Sequence, residues 1–204
     1  MWEYQKFLQY PVHITKPDAK LAQVIISQFG GPNGEIGAAL RYLSQRYTMP
    51  YREIAGLFTD IGTEELAHQE IICAIIYQLT RNLSMEELEK SGLDKYYTDH
   101  TLGLYPVNAS GVPFSAEIFQ SCGDPITDIS EDMAAEQKAR TTYDNLLRLI
   151  DNPEVCDPIR FLREREVVHY QRFGESLRIV QDRLNAKNFY ALNPAFDTGL
   201  VGCD

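Results

Sequence analysis

The sequence is poor in several residue types. Only four of its 204 residues are cysteines, and Cys73, Cys122, Cys156 and Cys203 include no C-x-x-C pair. That spacing fits no zinc template, and a chain of this length needs no disulfide framework, so the thiols are read as free. Cys203, next to the last residue, is the one placed for cross-linking. Thirteen Gly and ten Pro are too few for a low-complexity or collagen-like chain. No apolar run reaches the roughly 18 residues that a membrane span needs. The opening residues, Met1 to Lys6, lack a continuous apolar stretch, so no secretory signal is expected. Basic residues are the minority sign. Nineteen Lys and Arg face 29 Asp and Glu, a net charge of -10, which argues against a nucleic-acid partner and leaves cation binding open.

What is present fits one globular domain with a sizeable core, 44% apolar and 24% charged. Four long patterns carry apolar residues at intervals of three and four, the mark of amphipathic helices. They span about 18–47, 50–79, 125–150 and 158–184. The run Gly30-Gly31-Pro32-Asn33-Gly34 must kink or split the first. Pro50 starts the second, Asp124-Pro125 the third, and Asp157-Pro158 supplies an N-cap and first helical residue for the fourth. A shorter helix is expected over 84–91, where Ser84 and Glu87 form a capping box. The stretch 101–113 reads as irregular, and the tail 186–204 has no period. Short links make hairpins of the first and second helices and of the third and fourth. The long link between the hairpins is a crossover, so the expected fold is an all-α four-helix bundle over residues 1–185.

Two apolar stripes have gaps, and Glu and His fill them. Glu65 and His68 interrupt the second helix, and Glu166 and His169 interrupt the fourth. Each pair is Glu-x-x-His, which puts both side chains on one helix face. Thirty residues upstream of each pair stands another glutamate, Glu35 or Glu136, and seven residues after each of those stands a tyrosine, Tyr42 or Tyr143. The pattern therefore occurs twice, 101 residues apart, as two hairpins related by a pseudo-twofold axis. Chance produces such a match on the order of once in a thousand, after allowing for the choice of offset. Burying four carboxylates without a cation is prohibitively costly. The pattern points to a dinuclear metal site in the bundle core. Carboxylates bridge two cations, imidazole gives each a neutral ligand, and the mixed oxygen and nitrogen donors suit manganese or iron. Tyr42 and Tyr143, two turns beyond their glutamates, are placed to hydrogen-bond the ligands. His13 and His100 read as surface or hydrogen-bonding residues. Arg160, Arg163, Glu164 and Arg165 read as a solvated or subunit-facing side, and Glu64 and Glu70 as residues off the core face, with Glu64, directly before a ligand, also placed to support the ligands.

Three segments carry a family resemblance. The runs Gln28 to Glu35, Asp60 to His68 and Phe161 to His169 resemble manganese catalases. Leu8 to Val12 and Gly111 to Phe114 are similar to the CotJC-type spore-coat branch of that family. The resemblance covers about residues 1–185 and implies a ferritin-like bundle with two manganese ions. It puts the ligands on Glu35, Glu65, His68, Glu136 and His169, with Glu65 bridging. It makes Glu166 a proton-transfer base standing just outside. The implied reaction is disproportionation of hydrogen peroxide to water and dioxygen. A homo-oligomer is implied, longer members being hexamers, as are synthesis in the cytoplasm and a place in the spore coat among other coat proteins. Two readings stay open beside it. One is a diiron peroxidase or ferroxidase of the same fold, and the other is a structural coat component.

Overall fold

The computed structural model of the chain describes residues 7–97 and 103–187. The expectations for His100, for Cys203 and for the tail from residue 188 onward fall outside them. The helices are α1 (Ala19–Gly30), α2 (Glu35–Gln45), α3 (Arg52–Thr80), a short α4 (Met85–Ser91), α5 (Pro125–Leu149) and α6 (Pro153–Lys187). Single 3₁₀ turns at Asp94–Tyr97 and Ala116–Phe119 lie in the crossover. Among the described residues there is no strand, only an isolated bridge between Val107 and Pro113. No described helix is long and apolar enough to cross a membrane.

The glycine-rich run splits the first helix in two. Asp18 caps α1 by accepting from the Leu21 amide, and the Gly31 amide closes it on the Ser27 carbonyl. The chain restarts at Gly34, the N-cap of α2. A Cβ on Gly30 would lie 2.2 Å from the backbone of Pro106 and Val107. The crossover therefore passes directly over the break, and only glycine permits that approach. Together α1 and α2 run antiparallel to α3. The Asp18 amide donates to the Leu79 carbonyl at one end, and Leu43 packs on Gly62 nearer the other. α5 and α6 form the second hairpin.

The fourth helix starts earlier than its sequence signal. α6 begins at Pro153, so Pro158 lies inside it and Asp157 is not its cap. Two Asx-Pro pairs compete here, and the earlier one wins. The Asn152 side chain accepts from the Glu154 amide, and the extra turn buries Val155 and Cys156. Pro158 removes one helical hydrogen bond near the helix start. α6 also runs to Lys187, past the expected tail boundary.

Apolar side chains form two clusters. One gathers Ile25, Ile26, Ile72, Ile75, Leu79, Tyr143, Leu146 and Ile159. The other gathers Tyr42, Ile54, Phe58, Ile61, Ile129, Phe173 and Val180. In α3 the first cluster takes Ile71 to Leu79 and the second Ile54 to Ile61. The turn between them carries Glu65 and His68, so a polar layer crosses the middle of the bundle.

Candidate metal centre

Four helices converge on that layer. Glu35 is the first residue of α2, and the break in the first helix puts this helix start at mid-bundle. Its carboxylate therefore sits where unpaired amides and the helix dipole favour negative charge. α3 brings Glu65 and His68, α5 brings Glu136, and α6 brings Glu166 and His169. Each of the six is at most 2% exposed.

Glu65 stands between the two imidazoles. Its Oε2 is 2.9 Å from His68 Nδ1, and its Oε1 is 2.5 Å from His169 Nδ1. Glu35 flanks His68, Oε2 to Nδ1 3.5 Å, and Glu136 flanks His169, Oε2 to Nδ1 3.7 Å. The imidazole rings stack, with centroids 5.5 Å apart and planes 20° from parallel. One ligand atom from each of Glu65, His68, Glu166 and His169 lies within 4.8 Å of the others. Each half of the molecule thus contributes one histidine with its own flanking glutamate, and a central carboxylate turns one oxygen to each half.

The donor atoms converge without satisfying one another. Glu35 Oε1, Glu65 Oε1, Glu136 Oε2, Glu166 Oε1, His68 Nε2 and His169 Nδ1 are all buried and lack a hydrogen-bond partner. His169 Nδ1 and Glu65 Oε1 are close together, yet their geometry is not that of a hydrogen bond. In folded proteins the large majority of buried polar atoms are paired, so a group of unpaired donors at one place asks for a ligand. Oxygen and imidazole donors aimed at common points in a dry layer fit a pair of divalent cations.

The protonation pattern follows from the same crowding. Burial and the charge of Glu65 push Glu35 up to about 8. Burial, then the charges of Glu136, Glu65 and Glu35, raise Glu166 well above the carboxylate range. Burial would raise Glu65 as well, but the charges of His169 and His68 hold it below that range. Burial disfavours both imidazolium ions. The Glu65 charge and the surrounding carboxylates outweigh it, raising His68 well above its ordinary value and His169 to about 12. Without metal, protonated histidines balance the acidic layer. Cations that take their place displace those protons.

Tyr42 hydrogen-bonds across the hairpins, its hydroxyl donating to Glu136 Oε1 at 2.5 Å. The equivalent contact from Tyr143 is not made. Its hydroxyl is buried without a partner, and its ring packs in the first apolar cluster. The pseudo-twofold breaks here for a physical reason. Glu136 lies mid-way along an unbroken helix, whereas Glu35 begins one and turns toward His68.

Glu64 and Arg165 are where sequence reasoning fell short. Arg165 grips Glu64 with two hydrogen bonds, Nε to Oε1 at 2.7 Å and Nη2 to Oε2 at 3.0 Å. His169 Nε2 is 3.0 Å from Glu64 Oε2, and His68 Nε2 is 3.6 Å from Oε1. Gln9 donates to the same carboxylate. Burial would raise the Glu64 carboxyl, but hydrogen bonds with His169, Arg165 and Gln9 and the nearby His68 imidazole hold it well below the carboxylate range. One carboxylate thus faces the outer nitrogen of both imidazoles and sets their orientation. A signal existed. Glu64 and Arg165 are separated by the same 101 residues as the ligand pairs. Residues equivalent across a twofold meet when they lie near its axis, and these two carry opposite charge. Glu64→Gln is expected to weaken metal affinity about 10- to 100-fold with the helices intact. Metal-buffered titration followed by circular dichroism checks this, and an unchanged affinity refutes it.

On the other side of the layer lies a pocket lined by Asn33, Gly34, Glu35, Arg41, Tyr42 and Glu166, with Ala38, Ala135 and Ala139 as its small walls. Its free volume is about 10 Å³, the size of one water-like sphere. Of the small residues around Glu35, Gly34 and Ala38 shape this space. Gly37 instead lies under Ile118 and Phe114, and Ala39 is in the core. His13 is exposed, and Cys73, Cys122 and Cys156 are free thiols.

Comparison with known proteins places this geometry in context. The family model described as manganese containing catalase matches residues 1–189. The chain is 49% identical over 190 residues to Protein CotJC of Bacillus subtilis strain 168, covering 93% of this chain and 100% of that protein. It is 36% identical over 180 residues to a probable manganese catalase of Clostridium acetobutylicum, covering 87% of this chain and 79% of the relative. Among solved structures, KatB, a manganese catalase from Anabaena, superposes with a TM-score of 0.81 at 27% identity, covering 89% of this chain and 81% of that one.

Proposed function

The chain belongs to the manganese catalase family, and from that premise we propose that it disproportionates hydrogen peroxide at a dinuclear manganese centre. The observation that carries the reading is Glu65, buried between two imidazoles with one oxygen toward each. Glu35, Glu65, His68, Glu136 and His169 would hold the cations, with Glu65 shared between the two. Glu166 lines the pocket as the proton-transfer base. Tyr42 holds Glu136 in place. Tyr143 keeps the position the repeat assigns to it and contributes packing.

Bound there, a manganese pair supplies the store for two electrons. One peroxide gives up two electrons and two protons and leaves as dioxygen. A second takes up two of each and leaves as two waters. The chain's task is to keep the protons close between these halves. Glu166 Oε1 is buried, unpaired and on the pocket wall, so it can take a proton from one peroxide and return it to the next. The narrow pocket keeps bulk water from the layer, and on the far side Gln9, Arg165 and Phe161 close over the histidines.

We place the protein in the spore coat after cytoplasmic synthesis, beside other coat proteins, as likeness to CotJC suggests. We read it as a homo-oligomer, of which the hexamer is one form. Exposed Tyr77, Leu66 and Leu149 are apolar surface that such contacts would cover.

Elemental analysis of protein purified without added metal, combined with an oxygen electrode, tests the function. Two manganese ions per chain and oxygen release from peroxide are expected. Uptake should strengthen as pH rises from about 6 to about 8, because metal competes with protons on the histidines and Glu35. Two iron ions with peroxide consumed and no oxygen released would favour the diiron peroxidase. Two metals with no peroxide turnover would favour a structural coat component.

A further inference from the structure

The pocket walls carry two carboxyl groups, Glu35 and Glu166, and the Tyr42 hydroxyl, which already donates to Glu136. Glu166 exchanges its proton with the substrate, and hydrogen peroxide, with lone pairs on both oxygens, also needs a donor that keeps its hydrogen. Arg41 is the cation on this wall. It is 3% exposed, and the charge of buried Asp132 beside it offsets part of the cost of burying its own. One end of its guanidinium is tied down, Nη2 donating to the Ile118 carbonyl at 2.8 Å. That carbonyl lies in the 3₁₀ turn that ends the crossover. The Nε–H is buried with no hydrogen-bond partner. A planar group anchored at one edge, carrying an unpaired donor and lining a pocket of single-molecule size, is preorganised to hold a small oxygen-bearing ligand.

We propose that Arg41 is the substrate-positioning residue of this pocket, its Nε–H donating to peroxide and its charge drawing small anions into the same place. This rests on the catalase reading for its substrate, while the anion site stands on the pocket alone.

Arg41→Ala is expected to raise KM for hydrogen peroxide about 10- to 100-fold, the loss of a charge-assisted hydrogen bond, with kcat changed less than about threefold. Arg41→Lys should recover part of that loss, since it keeps the charge without the planar donor. Azide titrated calorimetrically into the metal-loaded protein, without peroxide, should bind the alanine variant weaker by a similar factor. Wild-type KM and wild-type azide affinity in Arg41→Ala would overturn the proposal. If that variant loses helix content or metal, Arg41→Met decides, because it keeps most of the stem volume and carries no N–H donor. Unchanged KM and azide affinity there would overturn the proposal equally. A wild-type protein that binds azide and releases no oxygen sinks the catalase reading, and the azide arm still decides the role of Arg41.

Discussion

Replacing Glu166 by Gln leaves the metal complement in place and lowers oxygen release by about 10²- to 10⁴-fold, the usual contribution of a positioned acid–base group. The substitution keeps size and shape and removes the titrating proton. Glu166 is 2% exposed and sits on the pocket wall. Its raised pKa, from burial and three neighbouring glutamates, lets it hold a proton that an ordinary carboxyl would release. Gln can neither take that proton nor return it. Elemental analysis beside the oxygen electrode reads both halves of the expectation. A variant with full turnover removes Glu166 from proton transfer, and one that loses its metals makes it a ligand.

Glu65→Gln is expected to do the opposite and empty the site. Its two oxygens face His68 and His169 separately, at 2.9 and 2.5 Å. An amide keeps one oxygen and turns an NH₂ toward the other half, where it repels a cation. The layer also loses the carboxylate that stays charged most readily, because His169 and His68 outweigh its burial. Metal content should fall to at most one ion per chain, with oxygen release down at least about 10³-fold. Circular dichroism should still report the helices, since the two apolar clusters do not include Glu65. Two retained metals would show that Glu65 does not bridge.

The two variants separate the roles of residues that the internal repeat makes equivalent. Glu65 and Glu166 occupy matching places in their hairpins, so the sequence pattern alone assigns them no difference. Their surroundings do. The outer carboxylate Glu64 lies beside Glu65, and its counterpart is Arg165. The pocket opens beside Glu166 and not beside Glu65.

Glu65, His68, Glu166 and His169 were legible because each breaks an apolar stripe, a local, periodic signal, and Glu35 and Glu136 because each stands thirty residues ahead of such a pair. The bundle was legible for the same reason. The Glu64–Arg165 pair was not, because its meeting depends on α6 lying across α3; Glu64 stood out only by its place before Glu65, and Arg165 looks like a solvated charge on its own helix. Arg41 hides similarly among polar residues of α2 until the crossover covers it. The start of α6 was misplaced because Asn152-Pro153 and Asp157-Pro158 carry equivalent signals. Only the burial of Val155 and Cys156 chooses between them. Tyr143 followed the spacing of Tyr42 but not its contact, since the repeat is exact in sequence and broken in backbone at Gly31.

That interruption has a further consequence for how substitutions would be tolerated. The crossing backbone of Pro106 and Val107 leaves no room for a side chain at Gly30, while Gly34, four residues on, precedes α2 and lines the pocket beside Glu35. One short stretch of main chain thus serves two masters, the seat of the crossover and the helix start whose first carboxylate faces His68.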